Sequence, residues 1–138
     1  MSLKTWLVKY YPSPATREMT WLQAVEHSIV KWQGLSQAVL ARHGLRQSTC
    51  VLVDDAADET FEVSSDSCAL CHKTDVASTY EVGSDSCKGC PLYEVRGNVA
   101  CAAPIADDSA PYQAWVFGND SKPMLKWLRR TRKMLLEK

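Results

Sequence analysis

Four cysteines, arranged as two Cys-x-x-Cys pairs, are the residues of this sequence best suited to chemistry. The pairs are Cys68 with Cys71 and Cys87 with Cys90, and fifteen residues separate them. Each pair can direct two thiolates to one point, and two pairs at this spacing are typical of tetrahedral zinc sites. We therefore expect one zinc ion (Zn2+) on these four cysteines. Because four thiolates close the coordination shell, we expect that zinc to be structural rather than catalytic.

Other residues leave alternatives to this ligand set. Cys101 could replace one of the four cysteines, and His72 adjoins Cys71 as a further candidate ligand. Pro91 follows Cys90, as in the ending of some iron–sulfur cluster motifs, so an iron–sulfur cluster is the alternative cofactor. Two disulfides or a thiol-redox role are also open, although reducing compartments favour metal binding by paired cysteines.

A short internal repeat surrounds the cysteine pairs. Residues 62–71 and 81–90 are identical at seven of ten positions. Each copy predicts a short strand, with alternating residues over Thr60–Ser64 and Thr79–Gly83, that leads into a Cys-x-x-Cys turn. Two such copies suit two matching halves around one metal ion.

The C-terminal segment predicts a basic helix over about residues 122–136. Pro123 lies in its first turn, where a missing N–H costs little, and Ser121 is positioned to cap it. The helix carries the cluster Arg129, Arg130, Arg132 and Lys133. These cations could bind nucleic-acid phosphates or an acidic protein face, or they could form the solvated side of an amphipathic helix.

The remaining patterns predict helices near the N-terminus and strands in the middle of the chain. A capping box at Thr20 and apolar residues at helical spacing predict a helix over Thr20–Gln33. A shorter helix follows, capped by Ser36 and ended by Gly44. Three further segments are a strand at Cys50–Val53, a short strand or arm over residues 1–12 where apolar and polar residues alternate, and an aromatic patch over residues 112–117.

The length and composition fit one globular domain. The chain has 138 residues, 46% of them hydrophobic and 23% charged, with a formal net charge of zero. The charge is segregated, since residues 51–110 hold three basic and twelve acidic residues whereas residues 111–138 hold seven basic and two acidic ones. No secretory signal and no apolar run long enough to span a membrane is visible, so we expect a cytoplasmic protein with no membrane partner.

These patterns together predict an α+β fold in a single domain over residues 1–138. We expect helices packed beside a small antiparallel β region, with a zinc-clipped β insert at about residues 50–101 and a C-terminal helix at about 122–136. No Gly-rich phosphate loop, nucleophile elbow or His-Glu-x-x-His motif occurs, so the sequence favours a non-enzymatic protein.

The segment 26–35, the dipeptide His43-Gly44 and the two Cys-x-x-Cys pairs together resemble small cysteine-rich proteins encoded by bacteriophages and prophages. The resemblance implies paired cysteines that bind metal, and a bacterial host cell as the location. It also implies a protein that binds a host protein or protein complex, with inhibition of a bacterial defence complex as one such role. The alternatives are a zinc-ribbon protein that binds nucleic acid and a thiol-redox or metal-dependent enzyme.

Overall fold

The computed structural model describes residues 2–64, 67–74, 89–97, 99, 101 and 110–137, without the side chains of residues 72 and 74. These ranges confirm the predicted α+β class, with seven helices and a small three-stranded antiparallel sheet. The helices are α1 Leu3–Tyr10, α2 Trp21–Gln33, α3 Gln37–Arg42, α4 Ala69–Thr74, α5 Pro91–Val95, α6 Pro111–Gly118 and α7 Lys122–Leu136. The strands are β1 Arg46–Ser48, β2 Val51–Asp54 and β3 Glu59–Glu62.

The prediction of a strand or arm over residues 1–12 is wrong, because this segment forms helix α1. The Ser2 side chain accepts a hydrogen bond from the Thr5 N–H, and the Thr5 hydroxyl accepts one from the Ser2 N–H. This reciprocal cap satisfies backbone donors that a helix start leaves free. The buried residues Leu3, Trp6 and Tyr10 recur at spacings of three and four, which is the helical period.

Helices α2 and α3 form as their caps predict. Thr20 and Gln23 complete the capping box of α2, and Ser36 accepts the N–H of Val39 at the start of α3. Gly44 adopts a left-handed φ of 67°, which glycine tolerates without strain, and so ends the second helix.

The sheet is a meander in the order β1-β2-β3, with β2 in the centre. Leu52 of β2 is fully buried and pairs with Gln47 on one side and Phe61 on the other. The sheet packs against α1 and α3. The predicted strands at Cys50–Val53 and Thr60–Ser64 are thus confirmed to within one or two residues, whereas the one at Thr79–Gly83 lies outside the described residues.

The C-terminal part of the chain forms two helices, α6 and α7. The predicted aromatic patch is helix α6, which places Trp115 in the core and leaves Phe117 76% exposed. Helix α7 has the bounds predicted, but no side chain caps it at Ser121; instead an Asp120 carboxylate oxygen accepts the Lys122 N–H at 3.1 Å. It packs against α2, α5 and α6.

Two buried indoles donate hydrogen bonds to the linker between α2 and α3. Trp6 Nε1 donates to the carbonyl of Gly34 at 2.7 Å, and Trp115 Nε1 donates to the carbonyl of Leu35 at 3.0 Å. Both rings are fully buried. The N-terminal and C-terminal helices are therefore both fastened to one short turn at the centre of the core.

Candidate functional site

The cysteines of the first pair are positioned by the turn that enters helix α4. The Ser67 hydroxyl donates to the carbonyl of Ser64 and accepts the Ser64 N–H, which closes this turn just before Cys68. Cys68 precedes α4, and Cys71 lies one turn further along that helix. Because α4 packs against α2, both thiols are brought close to the central helix.

Two further cysteines reach the same region from other segments. Cys90 is buried at the N-terminal end of α5, where its carbonyl accepts the N–H of Glu94 at 3.1 Å. The carbonyl of Cys101 accepts the N–H of Tyr112 at 3.1 Å, which ties it to the first turn of α6. Both thiols are near enough to Cys71 to act on it electrostatically. Cys90 and Cys101 thus lie in the same region of the molecule as Cys68 and Cys71.

Three of these cysteines line a cavity of about 350 Å³ between α2, α4, α6 and α7. Its walls are mainly apolar. The lining residues are Ser28, Lys31, Trp32, Val63, Ser64, Cys68, Leu70, Cys71, Leu92, Cys101, Tyr112, Gln113, Val116, Phe117, Met124 and Leu128. We refer to this space as the cysteine cavity.

Lys31 is the charged group of the cysteine cavity. Its side chain is only 1% exposed, and its ammonium donates to the carbonyl of Ser67 at 3.2 Å. Burial lowers the pKa of Lys31, and the electrostatic effect of Cys68, Cys71 and Cys101 opposes that shift. A buried cation beside sulfur atoms favours the thiolate form of those cysteines.

The Cys68 and Cys71 thiols are joined by a hydrogen bond. A hydrogen bond from the Cys71 side chain lowers the pKa of Cys68 to about 5 against the opposing effect of burial, and the charge of Lys31 adds to the lowering. The same hydrogen bond and burial raise the pKa of Cys71. A thiolate held in this way can bind a metal ion or act as a nucleophile.

The predicted zinc ligands are only partly described. Cys68, Cys71 and Cys90 lie within the described residues, whereas Cys87 and the side chain of His72 lie outside them. Within the ranges that the structure covers, no three Cys, His, Asp or Glu side chains lie close enough together to hold a metal ion. The four-cysteine zinc site therefore stays a prediction.

The basic residues of α7 lie where the sequence places them. Arg129, Arg130 and Lys133 are exposed, and Arg132 is half-buried. Trp127 lies beside them, with the Arg130 guanidinium 4.9 Å and the Lys126 ammonium 5.3 Å from the ring centroid. These distances are in the range of cation–π interactions, which hold long side chains in place.

Sequence patterns did not identify Lys31 and Ser28 as residues of the site. Both lie on the stripe of α2 that also carries Ala24, with spacings of four and three residues, and this stripe is buried. A lysine on the apolar stripe of a helix was the available signal, because lysine is rarely fully buried without a partner. Which groups it would meet there could not be read from α2 alone.

Comparison of the chain with protein-family models, with curated proteins and with solved structures finds no match. Within the described part of the chain, no helix combines the length and the hydrophobicity that crossing a membrane requires.

Proposed function

We propose that this chain is a non-enzymatic binding protein that docks the basic face of helix α7 onto an acidic face of a partner protein. One observation carries the proposal. Lys122, Lys126, Arg129 and Lys133 are all exposed and recur at spacings of four, three and four, so they form one stripe along α7. We call these four residues the basic stripe.

All the charged residues of helix α7 are positively charged. No acidic residue occurs between Lys122 and Leu136. The opposite side of the helix, with Met124, Leu128 and Thr131, is buried against the protein. The stripe is thus a row of positive charges on a rigid helix, about 17 Å long from Lys122 to Lys133 at 1.5 Å per residue. Such a surface attracts a partner of opposite charge and raises its rate of association.

Two features favour a protein over a nucleic acid as the partner. Leu136 continues the stripe and is 63% exposed, which suits a partner with an apolar patch beside its carboxylates. The β2–β3 hairpin carries the exposed acidic residues Asp55, Asp58 and Glu62, and the whole chain has no net charge. A long polyanion would gain less from a chain without net charge than from a basic one, because the acidic groups oppose its long-range attraction.

The cation–π contacts with Trp127 support the same role. Lys126 of the stripe and the neighbouring Arg130 both lie against this ring. Side chains that are already ordered lose less conformational entropy on binding. The resemblance to phage proteins further directs the proposal to partners in a bacterial cell, with a defence complex as the proposed target.

Charge reversal with a matched control tests this function. In the stripe variant, Lys126, Arg129 and Lys133 are changed to Glu. In the control variant, three exposed residues of α1 and α3 are changed to Glu instead, namely Lys4, Lys9 and Arg42. This control makes the same change in charge as the stripe variant. Parent and control proteins should capture the same bacterial protein from nuclease-treated lysate, and the stripe variant should bind that purified protein at least about tenfold more weakly.

Two results would contradict the proposal. Equal binding by the stripe variant would show that the basic stripe is merely solvated. Tight binding of the parent to short duplex DNA would instead support a nucleic-acid function. In that case log affinity should fall with log salt at a slope of about −0.9 per neutralised phosphate.

A further inference from the structure

We propose that the cysteine cavity binds a small, mostly apolar molecule that carries one uncharged hydrogen-bond acceptor, such as the carbonyl oxygen of a ketone. A buried hydroxyl without a partner, set in a mainly apolar wall, carries this inference. The cavity lies in the interior of the protein, so binding there is independent of the partner proposed for α7.

The cysteine cavity is large enough for a ligand of moderate size. Well-packed protein interiors leave few voids larger than a water molecule, and an apolar cavity of about 150 Å³ in another protein holds one benzene molecule. The cysteine cavity has a volume of about 350 Å³. By the same measure it has room for a molecule of roughly ten to fourteen non-hydrogen atoms. Its volume also lies in the usual range of small-molecule sites, about 300–1,000 Å³.

The cavity has an apolar wall and an opening beside helix α6. Trp32, Leu70 and Leu128 are buried and line the space. Phe117 lines it as well, yet its side chain is 76% exposed, so the cavity reaches the protein surface next to this ring. A small molecule can therefore enter without unfolding of the core, and burial of its apolar surface against the wall favours binding.

One hydroxyl in the cavity wall lacks a hydrogen-bond partner. Ser28 of α2 lines the cavity and is 1% exposed. Its hydroxyl has no partner within the part of the chain that the structure describes. A buried polar group without a partner is costly, so native proteins seldom leave one. The Ser28 hydroxyl therefore indicates a hydrogen-bond acceptor that a molecule in the cavity supplies.

The charges around the cavity favour an uncharged ligand. Lys31 is the one Lys, Arg, Asp, Glu or His residue among the described residues that line it, and its ammonium already donates to the carbonyl of Ser67 at 3.2 Å. The electrostatic effect of Cys68, Cys71 and Cys101 also favours the charged ammonium. A charged ligand would bury its own charge against a mainly apolar wall, which is costly without a dedicated partner.

Three matched probes test the site on the full-length protein. Butyrophenone has an apolar body and one ketone oxygen, n-butylbenzene lacks that oxygen, and 4-phenylbutyrate carries a carboxylate instead. Calorimetric titration should detect binding of butyrophenone, with n-butylbenzene about two- to tenfold weaker because it leaves the hydroxyl unpaired. In Ser28→Ala, which removes a hydroxyl that makes no hydrogen bond within the described chain, this difference should disappear. The anionic 4-phenylbutyrate should bind most weakly.

A cavity-filling variant shows where butyrophenone binds. Val116 lines the cavity from α6 and is half-buried, so Val116→Trp should occupy part of the space and weaken binding at least about tenfold. Val8→Trp is the control, because Val8 lies on α1, is 76% exposed and is not part of the cavity wall. It should bind butyrophenone as the parent does, and circular dichroism checks that both variants fold.

Four results would overturn the proposal. Absence of binding by all three probes would show that the cavity holds only water. Equal binding of butyrophenone and n-butylbenzene by the parent would show that Ser28 meets no acceptor. Tighter binding of 4-phenylbutyrate than of butyrophenone would identify an anion site instead. Undiminished binding by Val116→Trp would place butyrophenone outside the cavity.

Discussion

Asp54 links the first helix to the sheet through a buried carboxylate. One of its oxygens accepts the Leu3 N–H at 2.9 Å, and the other accepts the Ala57 N–H at 3.2 Å. The hydrogen bond from Leu3 is the main reason that the pKa of Asp54 is lowered. Asp54→Ala leaves the buried Leu3 N–H without its acceptor, so we expect the free energy of unfolding to fall by about 1–3 kcal/mol in urea titrations.

The neighbouring Asp55 offers a matched control. It forms an ion pair with Arg46 at 3.1 Å, and both side chains are exposed. Exposed pairs of this kind contribute little, so Asp55→Ala should leave the free energy of unfolding almost unchanged. If the two variants cost the same, the link between Asp54 and α1 does not stabilise the fold.

His43 should make stability depend on pH. Burial lowers its pKa, and the cations of Lys9 and Arg42 add to this effect. Its folded-state pKa is thus below the unfolded value of about 6.5. The stabilising contribution is complete above that value and is lost as the pH falls through the folded pKa, because the unfolded chain binds the proton more readily.

We therefore expect the free energy of unfolding to fall as the pH is lowered from about 7 to 5, with a smaller fall in His43→Gln. The pKa of His27 is also lowered, mainly by burial, so the variant should remove only part of the dependence. Urea titrations at several pH values measure the slope of the free energy of unfolding against pH in the parent and in the variant. Parallel slopes in parent and variant would exclude His43 as a source.

At the scale of the elements, Gly34 allows α1 to lie close against the end of α2. A Cβ atom at Gly34 would overlap Tyr10 Cγ and would lie 2.8 Å from Trp6 Nε1. Gly34→Ala should therefore force α1 outward and destabilise the protein by about 1–3 kcal/mol.

Gly118, the last residue of α6, provides the comparison. A Cβ atom there would meet nothing within 4 Å. Gly118→Ala should be neutral or stabilising by up to about 1 kcal/mol, since alanine favours the helix. Thermal unfolding of both variants distinguishes a steric effect at Gly34 from a general effect of replacing glycine.

The sequence predicted those elements whose local signals agree with one another. At α2, a capping box precedes apolar residues at helical spacing, and both signals indicate a helix. At α1, the alternation of residues suggested a strand, but Val8 is 76% exposed and the burial follows the helical period. The Ser2–Thr5 cap was the overlooked signal, and packing of Trp6 against the core decides which face is buried.

Only the part of the candidate site that depends on local residue spacing could be predicted from the sequence. The Cys-x-x-Cys pairs indicated Cys68, Cys71 and Cys90 as candidate ligands, because their spacing is local. Lys31 lies 37 positions before Cys68, and its approach to the cysteines depends on α4 packing against α2. Such a contact is set by tertiary packing, so no window of sequence around the cysteines contains it.

At the scale of the whole molecule, the structure divides into a sheet side and a cysteine side. The sheet packs with α1 and α3, whereas α4 packs on α2 and α5 packs on α7. If a metal cofactor links the cysteines, its removal should loosen α4 and α5 while the sheet stays ordered. Hydrogen exchange of the full chain with and without an iron and zinc chelator measures this. Equal loss of protection in both sides would contradict the division.

The two indoles at the α2–α3 linker have a consequence for how the protein folds. Trp6 is 28 residues from its acceptor, and Trp115 is 80 residues from the adjacent one. Closing the longer loop costs about 1 kcal/mol more chain entropy, so the Trp6 contact should form earlier on average. Burial of Trp115 therefore belongs to the late step in which the C-terminal helices dock, whereas burial of Trp6 belongs to an earlier one.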